Sequence, residues 1–363
     1  MANRWSECES KENIGNDNIM KSPTLKEWKA LYQAAIQFKK LAPWNWMFDS
    51  DMFGVQNPET DEIGYCCIMG AAGEHFALAV YLGTEGLDGY LRLQSGDYSE
   101  DLFEALYFQK CLMVSFENRK LLKEQDLAVI KKLGLQFRGR NSWPLFRDYS
   151  PGYYPWFITS DQARYLTLVL QQAVDIAQRF EDDPERLTDP LGIRYLVRIP
   201  KKKKNGLEWT EEWLEPAPYK ETGTEVFSID AAQWEKIKQF SMAEENWEVD
   251  FFYSPQGIRE GQERPYYPYI MLWVEHYSGF ILHSSMVKVE QYESVFIEQC
   301  LKAFENAGYL PEEISVKKEE ISWLLEPVLS ELGIRLRKTE RLISMEKAQE
   351  GIYEFYQNGF FGN

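Results

Sequence analysis

The sequence predicts an α+β protein made of two domains. The length of 363 residues fits two domains at about 100–200 residues each. Helical and strand periodicities alternate along the chain, which is typical of sheets covered by helices. A polar, proline-rich stretch without periodicity, residues 215–225, separates two patterned regions and is the predicted linker. We therefore expect a mixed α/β domain on each side of that stretch.

The chain before the first helix is polar and aperiodic, and a flexible tail is predicted over residues 1–22. The N-terminal domain is predicted over residues 23–214 and the C-terminal domain over residues 226–363. The C-terminal domain contains 23 acidic and 13 basic residues, a net charge of −10. An acidic interaction module, or even a nucleic-acid mimic, is one functional alternative if these acids share one face.

The N-terminal domain begins with a helix whose start matches a capping box, with Glu27 three residues after Thr24. A hairpin is predicted over residues 52–70, because the turn residues 57–61 separate two apolar runs. The nearly continuous apolar run 75–82 predicts a strand buried on both faces. The periodicity that follows predicts a helix over 99–109, a strand over 111–117 and a helix over 124–133.

The second half of this domain is predicted to hold a long helix and a second hairpin. Thr159 and Gln162 form another capping-box pattern, and apolar residues at helical spacing continue to Phe180. Residues 192–200 alternate as a strand does, and the segment 201–206 (KKKKNG) ends in Asn-Gly, a strong hairpin signal. The lysines of this segment are interpreted as a solvated tip, with a phosphate or an acidic partner as the alternative.

The C-terminal domain has the predicted element order β-β-β-α-β-α-β. A hairpin followed by βαβ crossovers implies a mixed sheet covered by helices. Pro327 falls inside the second helix and is expected to kink or split it. The predicted elements are strands at 247–253, 269–276 and 280–287, a helix at 291–307, a strand at 313–316, a helix at 319–332 and a strand at 334–337.

Composition excludes several functional classes. The formal net charge of −17 repels phosphate backbones, so nucleic acid is disfavoured as a partner. No run reaches the roughly 18 apolar residues of a membrane span, and no export signal is visible, so we expect a cytoplasmic protein. The cysteines fit no disulfide ladder and no zinc motif, so reduced thiols are expected. The five are Cys8, Cys66, Cys67, Cys111 and Cys300.

No nucleotide-binding, serine hydrolase or zincin motif is present: G-x-x-x-x-G-K-[ST], G-x-G-x-x-G, G-x-S-x-G and H-E-x-x-H are all missing. The leading hypothesis is therefore a binding or regulatory protein without catalysis and without a cofactor. Its partner is expected to be a protein or a small molecule.

Two segments resemble an uncharacterised family of bacterial two-domain proteins that carry domain-of-unknown-function labels. They are residues 41–83 (LAPWNWMFDSDMFGVQNPETDEIGYCCIMGAAGEHFALAVYLG) and 264–282 (RPYYPYIMLWVEHYSGFIL). The likeness extends over most of the chain after residue 24. It implies two domains and a bacterial origin, and it implies no activity.

Residues 247–337 are similar in element order to the ribonuclease-H-like domain of integrases and transposases. In those domains, one acid on the first strand and one after the fourth strand hold two metal ions. Asp250 matches the first position, but the second is Lys317 or Lys318, and an ammonium opposes a cation. A metal-dependent nuclease-like or other hydrolytic enzyme using Asp250 is therefore kept as the alternative. Its further ligands would be Glu275 and Glu319 or Glu320.

An aromatic loop is the best candidate for a ligand site. Such side chains stack on a sugar, a base or a proline-rich peptide, or alternatively form a packed loop that covers the sheet. The five candidates, within residues 143–157, are Trp143, Tyr149, Tyr153, Tyr154 and Trp156.

Two further candidates involve histidine. Glu74-His75 precedes a strand near Cys66 and Cys67, which suggests a Cys–His nucleophile, with a strand start and two core thiols as the alternative. His276 and His283 flank a predicted turn on neighbouring strands and are candidates to face each other; isolated edge histidines are the alternative.

Overall fold

In a computed structural model of the chain, the described residues are 21–95, 109–204, 206–218, 230–261 and 263–359, with side chains described as far as residue 356. The predicted tail and the helix predicted over 99–109 thus lie almost entirely outside the described residues, as does most of the predicted linker.

The N-terminal domain is built on a seven-stranded sheet with the order β5-β4-β3-β2-β1-β6-β7. Neighbouring strands are antiparallel except β1 and β6, which are parallel. The strands are β1 (Phe53–Gln56), β2 (Ile63–Met69), β3 (Ala77–Leu82), β4 (Cys111–Glu117), β5 (Trp143–Tyr149), β6 (Tyr195–Lys203) and β7 (Gly206–Leu214). The two predicted hairpins, β1–β2 and β6–β7, are confirmed, and residues 77–81 of β3 are buried on both faces.

Within the part of the chain that the structure describes, four helices cover this sheet. Helices α1 and α4 pack together on one face, because Leu31, Ala35 and Phe38 share a core with the apolar stripe of α4. Both predicted capping boxes form, with Glu27 and Gln162 each bonded to the backbone of its capping threonine. The helices are α1 (Leu25–Leu41), α2 (Gly83–Ser95), α3 (Glu124–Lys132) and α4 (Ser160–Asp182). Helix α2 was not predicted, since three glycines weaken its helical pattern.

The C-terminal domain contains a five-stranded sheet with the order β10-β9-β8-β11-β12. The first three strands are antiparallel, whereas β8, β11 and β12 are parallel. This mixed sheet confirms the predicted ribonuclease-H-like arrangement. The strands are β8 (Met242–Tyr253), β9 (Tyr269–Glu275), β10 (Ile281–Val287), β11 (Leu310–Val316) and β12 (Arg335–Lys338).

The helices of this domain lie on both sides of its sheet. Helices α6 and α7 share a core with Trp247 and Trp273 on one face, and α8 covers Phe252 and Leu272 on the other. The helices are α5 (Ala231–Ile237), α6 (Tyr292–Ala307), α7 (Glu319–Leu332) and α8 (Ile343–Gly359). Within the part of the chain that the structure describes, no helix is both long and apolar enough to cross a bilayer.

Two features of this domain differ from the predictions. Helix α7 runs continuously through Pro327, so a split helix was wrong. The burial of six apolar side chains along α7 outweighs the single main-chain hydrogen bond that proline removes. Helix α8 was not predicted at all, although Leu342, Met345 and Ile352 recur at helical spacing and pack on the sheet.

Candidate functional site

An ion pair fills the position that the integrase resemblance assigns to a metal-binding acid. Asp250 lies on β8, and its Oδ1 accepts hydrogen bonds from Lys318 Nζ at 2.7 Å and from the Phe251 N–H at 2.8 Å. The Lys318 ammonium also donates to the Phe251 carbonyl and lies 4.1 Å from the centre of the Phe251 ring. The parallel register explains this contact: β11 pairs Ser315 with Glu248, so the chain reaches Asp250 as it leaves the strand.

The other predicted metal ligands do not converge on Asp250. Glu275 pairs in register with Trp247, and its carboxylate accepts the Tyr277 N–H at 3.0 Å and the Ser278 N–H at 2.6 Å in the β9–β10 turn. Glu319 lies 3.3 Å from Lys338. Among the described residues, no three His, Cys, Asp or Glu side chains are grouped to hold a metal. Asp250, Glu275 and Glu319 therefore remain three separate acids in this structure.

The histidines lie on opposite faces of the C-terminal sheet, so the expectation that they face each other was wrong. His276 Nδ1 lies 2.5 Å from Glu248 Oε1 on the face covered by α8. The His283 ring is 5.2 Å from the ring of Trp273, on the face covered by α6, and its Nε2 is 3.0 Å from Gln299 Oε1. A β-bulge between Ile281 and His283 shifts the register, so that His283 pairs with Trp273. His283 therefore lies on the same face of the sheet as Trp273.

Cys66 and Cys67 lie in β2, and both thiols are buried. The Cys67 thiol donates to the Asp49 carbonyl at 3.3 Å, whereas His75 is half exposed and its nearest charged partner is Glu117 at 3.8 Å. Burial raises the pKa of the Cys67 thiol to about 12. These contacts favour the interpretation of two core thiols over a nucleophilic pair, since catalysis needs a thiolate.

We expect Cys66 and Cys67 to react slowly with iodoacetamide at neutral pH and rapidly in denaturant. Burial raises the pKa of both thiols and also shields them from the reagent. Alkylation needs an accessible thiolate, so both requirements are missing in the folded chain. Mass spectrometry of labelled peptides, with and without urea, measures the rates. Rapid labelling of either residue in the folded chain would contradict the assignment.

The aromatic candidates do not lie in one loop, because they belong to two different parts of the structure. Trp143 and Tyr149 belong to the edge strand β5, which pairs with β4 over seven residues, so the expectation that they lie in a loop was wrong. Pro144 fits this position, because an edge strand tolerates a residue without an N–H donor. Trp156 leaves the strand and lines a cavity of about 490 Å³ beside helix α3. Trp156 thus stays a candidate ligand contact.

Tyr153 and Tyr154 form the joint between the domains. The Tyr154 ring stacks on Tyr267 with the centroids 4.5 Å apart, and Tyr153 forms an isolated β-bridge with Tyr266. Gly152 has φ +75°, and an added Cβ would lie 2.4 Å from Val289. These rings are therefore packed against the C-terminal domain, which favours the packed-loop interpretation over ligand stacking.

Arg264 ties this joint with hydrogen bonds to the N-terminal domain. Its guanidinium donates to Asp148 Oδ2 at 3.1 Å, to the Asp148 carbonyl at 2.6 Å and to the Tyr154 carbonyl at 2.7 Å. Both charged side chains are only 12% exposed. Burial lowers the pKa of Arg264, although the nearby Asp148 opposes that shift.

A buried carboxylate that the sequence analysis missed anchors helix α8. Glu248 is 1% exposed, and its Oε2 accepts the Met345 N–H at 2.7 Å in the first turn of α8. Its other oxygen contacts His276, and the Ser344 hydroxyl donates to the His276 carbonyl at 2.5 Å. Glu248 thus holds the positive end of the helix against the sheet.

An apolar groove lies between β10 and the second half of α8, and the sequence analysis missed it too. It has a volume of about 600 Å³. Its walls include Ile281 and Met286 of β10 and Gly351, Ile352 and Phe355 of α8. The glycine inside a helical pattern was the available signal, because glycine in a helix needs a reason.

The acids of the C-terminal domain are spread over many elements, and several are paired with bases. Glu305 pairs with Lys236, Glu331 with Lys238 and Glu260 with Lys288. This distribution argues against one acidic face. The lysines of the β6–β7 hairpin are exposed, as expected for a solvated tip.

Two family models match the chain. Residues 28–198 match a domain of unknown function (DUF7309), and residues 233–353 match a second domain of unknown function (DUF6930). Neither description states an activity. No curated protein matches the sequence.

Solved structures similar to part of this chain are retroviral integrases. The HTLV-2 integrase catalytic core with magnesium, dimeric form, is 18% identical over 28% of this chain and 63% of that chain, with a TM-score of 0.21. Its trimeric form is 17% identical over 34% of this chain and 74% of that chain, with a TM-score of 0.24. A chain of the simian T-cell lymphotropic virus intasome, in complex with the PP2A regulatory subunit B56 gamma, is 17% identical over 34% of this chain and 45% of that chain, with a TM-score of 0.25. The match thus spans less than two thirds of the first core, and likeness at these scores carries no argument about activity.

Proposed function

We propose that this chain, which combines two domains of unknown function, is a non-catalytic binding protein. One observation carries the proposal: the Lys318 ammonium lies 2.7 Å from Asp250 Oδ1, where a metal-dependent enzyme of this fold would need a divalent cation. The C-terminal domain then keeps a ribonuclease-H-like sheet as a scaffold for binding.

The electrostatics at Asp250 support this proposal. A divalent cation binds where two or more carboxylates offset its dehydration. Here one carboxylate already has a cationic partner, and the Asp250 side chain is 15% exposed. A metal would have to displace an ammonium that also donates to the Phe251 carbonyl, and Glu275, three positions away in the strand register, is engaged in the β9–β10 turn.

The buried free thiols support a reducing compartment, and we propose the cytoplasm as the setting.

Manganese or magnesium is expected to leave the melting temperature of the wild-type chain unchanged and to elicit no nuclease activity. Lys318→Glu places a second carboxylate beside Asp250, so manganese should then raise the melting temperature. The rise should be about 2–4 °C for each kcal/mol of binding free energy. Calorimetric melting with and without metal measures this difference.

The matched control is Lys317→Glu, which makes the same charge change at a neighbouring residue whose ammonium has no hydrogen bond to Asp250 among the described contacts. It should show no manganese response. Metal-dependent cleavage of single- or double-stranded nucleic acid by the wild-type chain, lost in Asp250→Asn, would overturn the proposal.

A further inference from the structure

The groove between β10 and α8 lies beside a sheet edge to which no described strand is paired. Strand β10 is the outermost strand of its sheet, and its seven residues include neither proline nor a charged side chain. Natural proteins commonly protect such edges with lysine, proline or a covering segment. Phe280 is 67% exposed and Met286 is 48% exposed along this edge. The edge can therefore accept another extended segment.

Gly351 keeps the groove open. It lies inside helix α8, and a Cβ added at this position would lie within 4 Å of no described atom outside its chain neighbours and the backbone of its own helix. Alanine would therefore fit and would favour the helix. The packing of the chain gives no reason for a glycine here, whereas space for an occupant of the groove does.

Among the described residues that line the groove, Lys347 is the one charged side chain, and none is a carboxylate. Within the described ranges, Lys347 forms no ion pair at 4.0 Å or less. The remaining lining is mainly aliphatic and aromatic, with Ser284 and Ser285 on the strand. Charge complementarity therefore favours an apolar occupant with one acidic group.

We infer that this groove binds an extended, apolar peptide segment of a partner protein, paired to β10 as an additional strand. Main-chain hydrogen bonds to the strand edge would supply affinity, and alternate side chains would enter the groove beneath α8. An acidic residue of the segment would face Lys347. The inference rests on the proposed binding function and names the site and the class of partner.

A second copy of the chain is the weaker occupant. Each copy carries a net charge of −17, which opposes close approach of two copies. The described lining of the groove includes no anionic group to balance a Lys347 from another copy.

The test uses the full chain and an array of synthetic peptides as long as the seven residues of β10. Valine or phenylalanine alternates with threonine in these peptides, with or without one glutamate. Gly351→Leu fills the groove, and Met286→Lys places a charge on the edge. Met242→Lys is the matched control, because Met242 is 47% exposed and lies outside the groove.

Fluorescence anisotropy should show glutamate-bearing peptides binding to the wild type and to Met242→Lys. Gly351→Leu and Met286→Lys should each weaken that binding about tenfold or more, which corresponds to roughly 1.4 kcal/mol. Amide hydrogen exchange of β10 should slow in the complex. Circular dichroism and melting confirm that each variant folds.

Three outcomes overturn the inference: no peptide binds the wild type better than Gly351→Leu, binding is insensitive to both groove variants, or sedimentation finds a dimer that Met286→Lys dissociates. The nuclease assay is independent of these results. Cleavage of nucleic acid by the chain would contradict the proposed function. If the chain shows no cleavage and binds no peptide, only this inference is contradicted.

Discussion

Arg264→Ala is expected to lower the free energy of unfolding by about 3 kcal/mol and to uncouple the two domains. The change removes every hydrogen bond that the guanidinium makes to the N-terminal domain, to Asp148, Ser150 and Tyr154. It also leaves the 12% exposed carboxylate of Asp148 without its cation. A buried charge that loses its partner costs more than the pair itself contributes.

Urea unfolding followed by tryptophan fluorescence measures this effect, because both domains contain buried tryptophans. Arg335→Ala is the control: that arginine pairs with Glu312 at 2.7 Å and Glu313 at 2.9 Å but is 62% exposed, so its loss should cost about 0.5 kcal/mol or less. Arg264→Lys should fall between the two, since an ammonium cannot reproduce the forked geometry. Equal midpoints for Arg264→Ala and Arg335→Ala would contradict the role of the joint.

Glu248→Ala is expected to cost about 3 kcal/mol and to release helix α8 from the sheet. The change leaves the Met345 N–H and His276 without the buried carboxylate that accepts from them. It also leaves a cavity at a position that is 1% exposed. Because α8 forms one wall of the groove, peptide binding should weaken when this helix is released from the sheet.

Hydrogen exchange along residues 343–356 measures the release of α8 directly. Glu248→Gln retains an oxygen that accepts the Met345 N–H, so its cost should be only about 1 kcal/mol. Glu346→Ala is the control on the same helix, because its ion pair with Arg341 is solvent-exposed. Unchanged exchange in Glu248→Ala would show that apolar packing alone holds α8.

The sequence predicted the elements whose signals are local. Capping boxes at Thr24 and Thr159 marked two helix starts. These signals depend on residues within one turn of each other. The order of elements in the C-terminal domain then limited the sheet to few arrangements.

Other elements were missed because their stability comes from distant contacts. Helix α8 depends on Glu248, almost 100 residues earlier in the chain, and strand β5 depends on pairing with β4. Pro327 was overinterpreted as a breaker, since core packing tolerates it here. Local propensity is a weak guide where tertiary burial supplies the larger free energy.

By itself, the sequence determined the two α+β domains and the lysine that stands where the ribonuclease-H-like resemblance expects the second metal ligand, because periodicity and residue identity are local properties. Only the tertiary structure decided that Lys318 reaches Asp250, that Tyr153 and Tyr154 pack between domains, and that a groove opens beside Gly351. Each of these depends on strand register or on helix docking, which bring together residues far apart in the chain. Register fixes which side chains meet, and it is set by burial of whole faces rather than by any short motif.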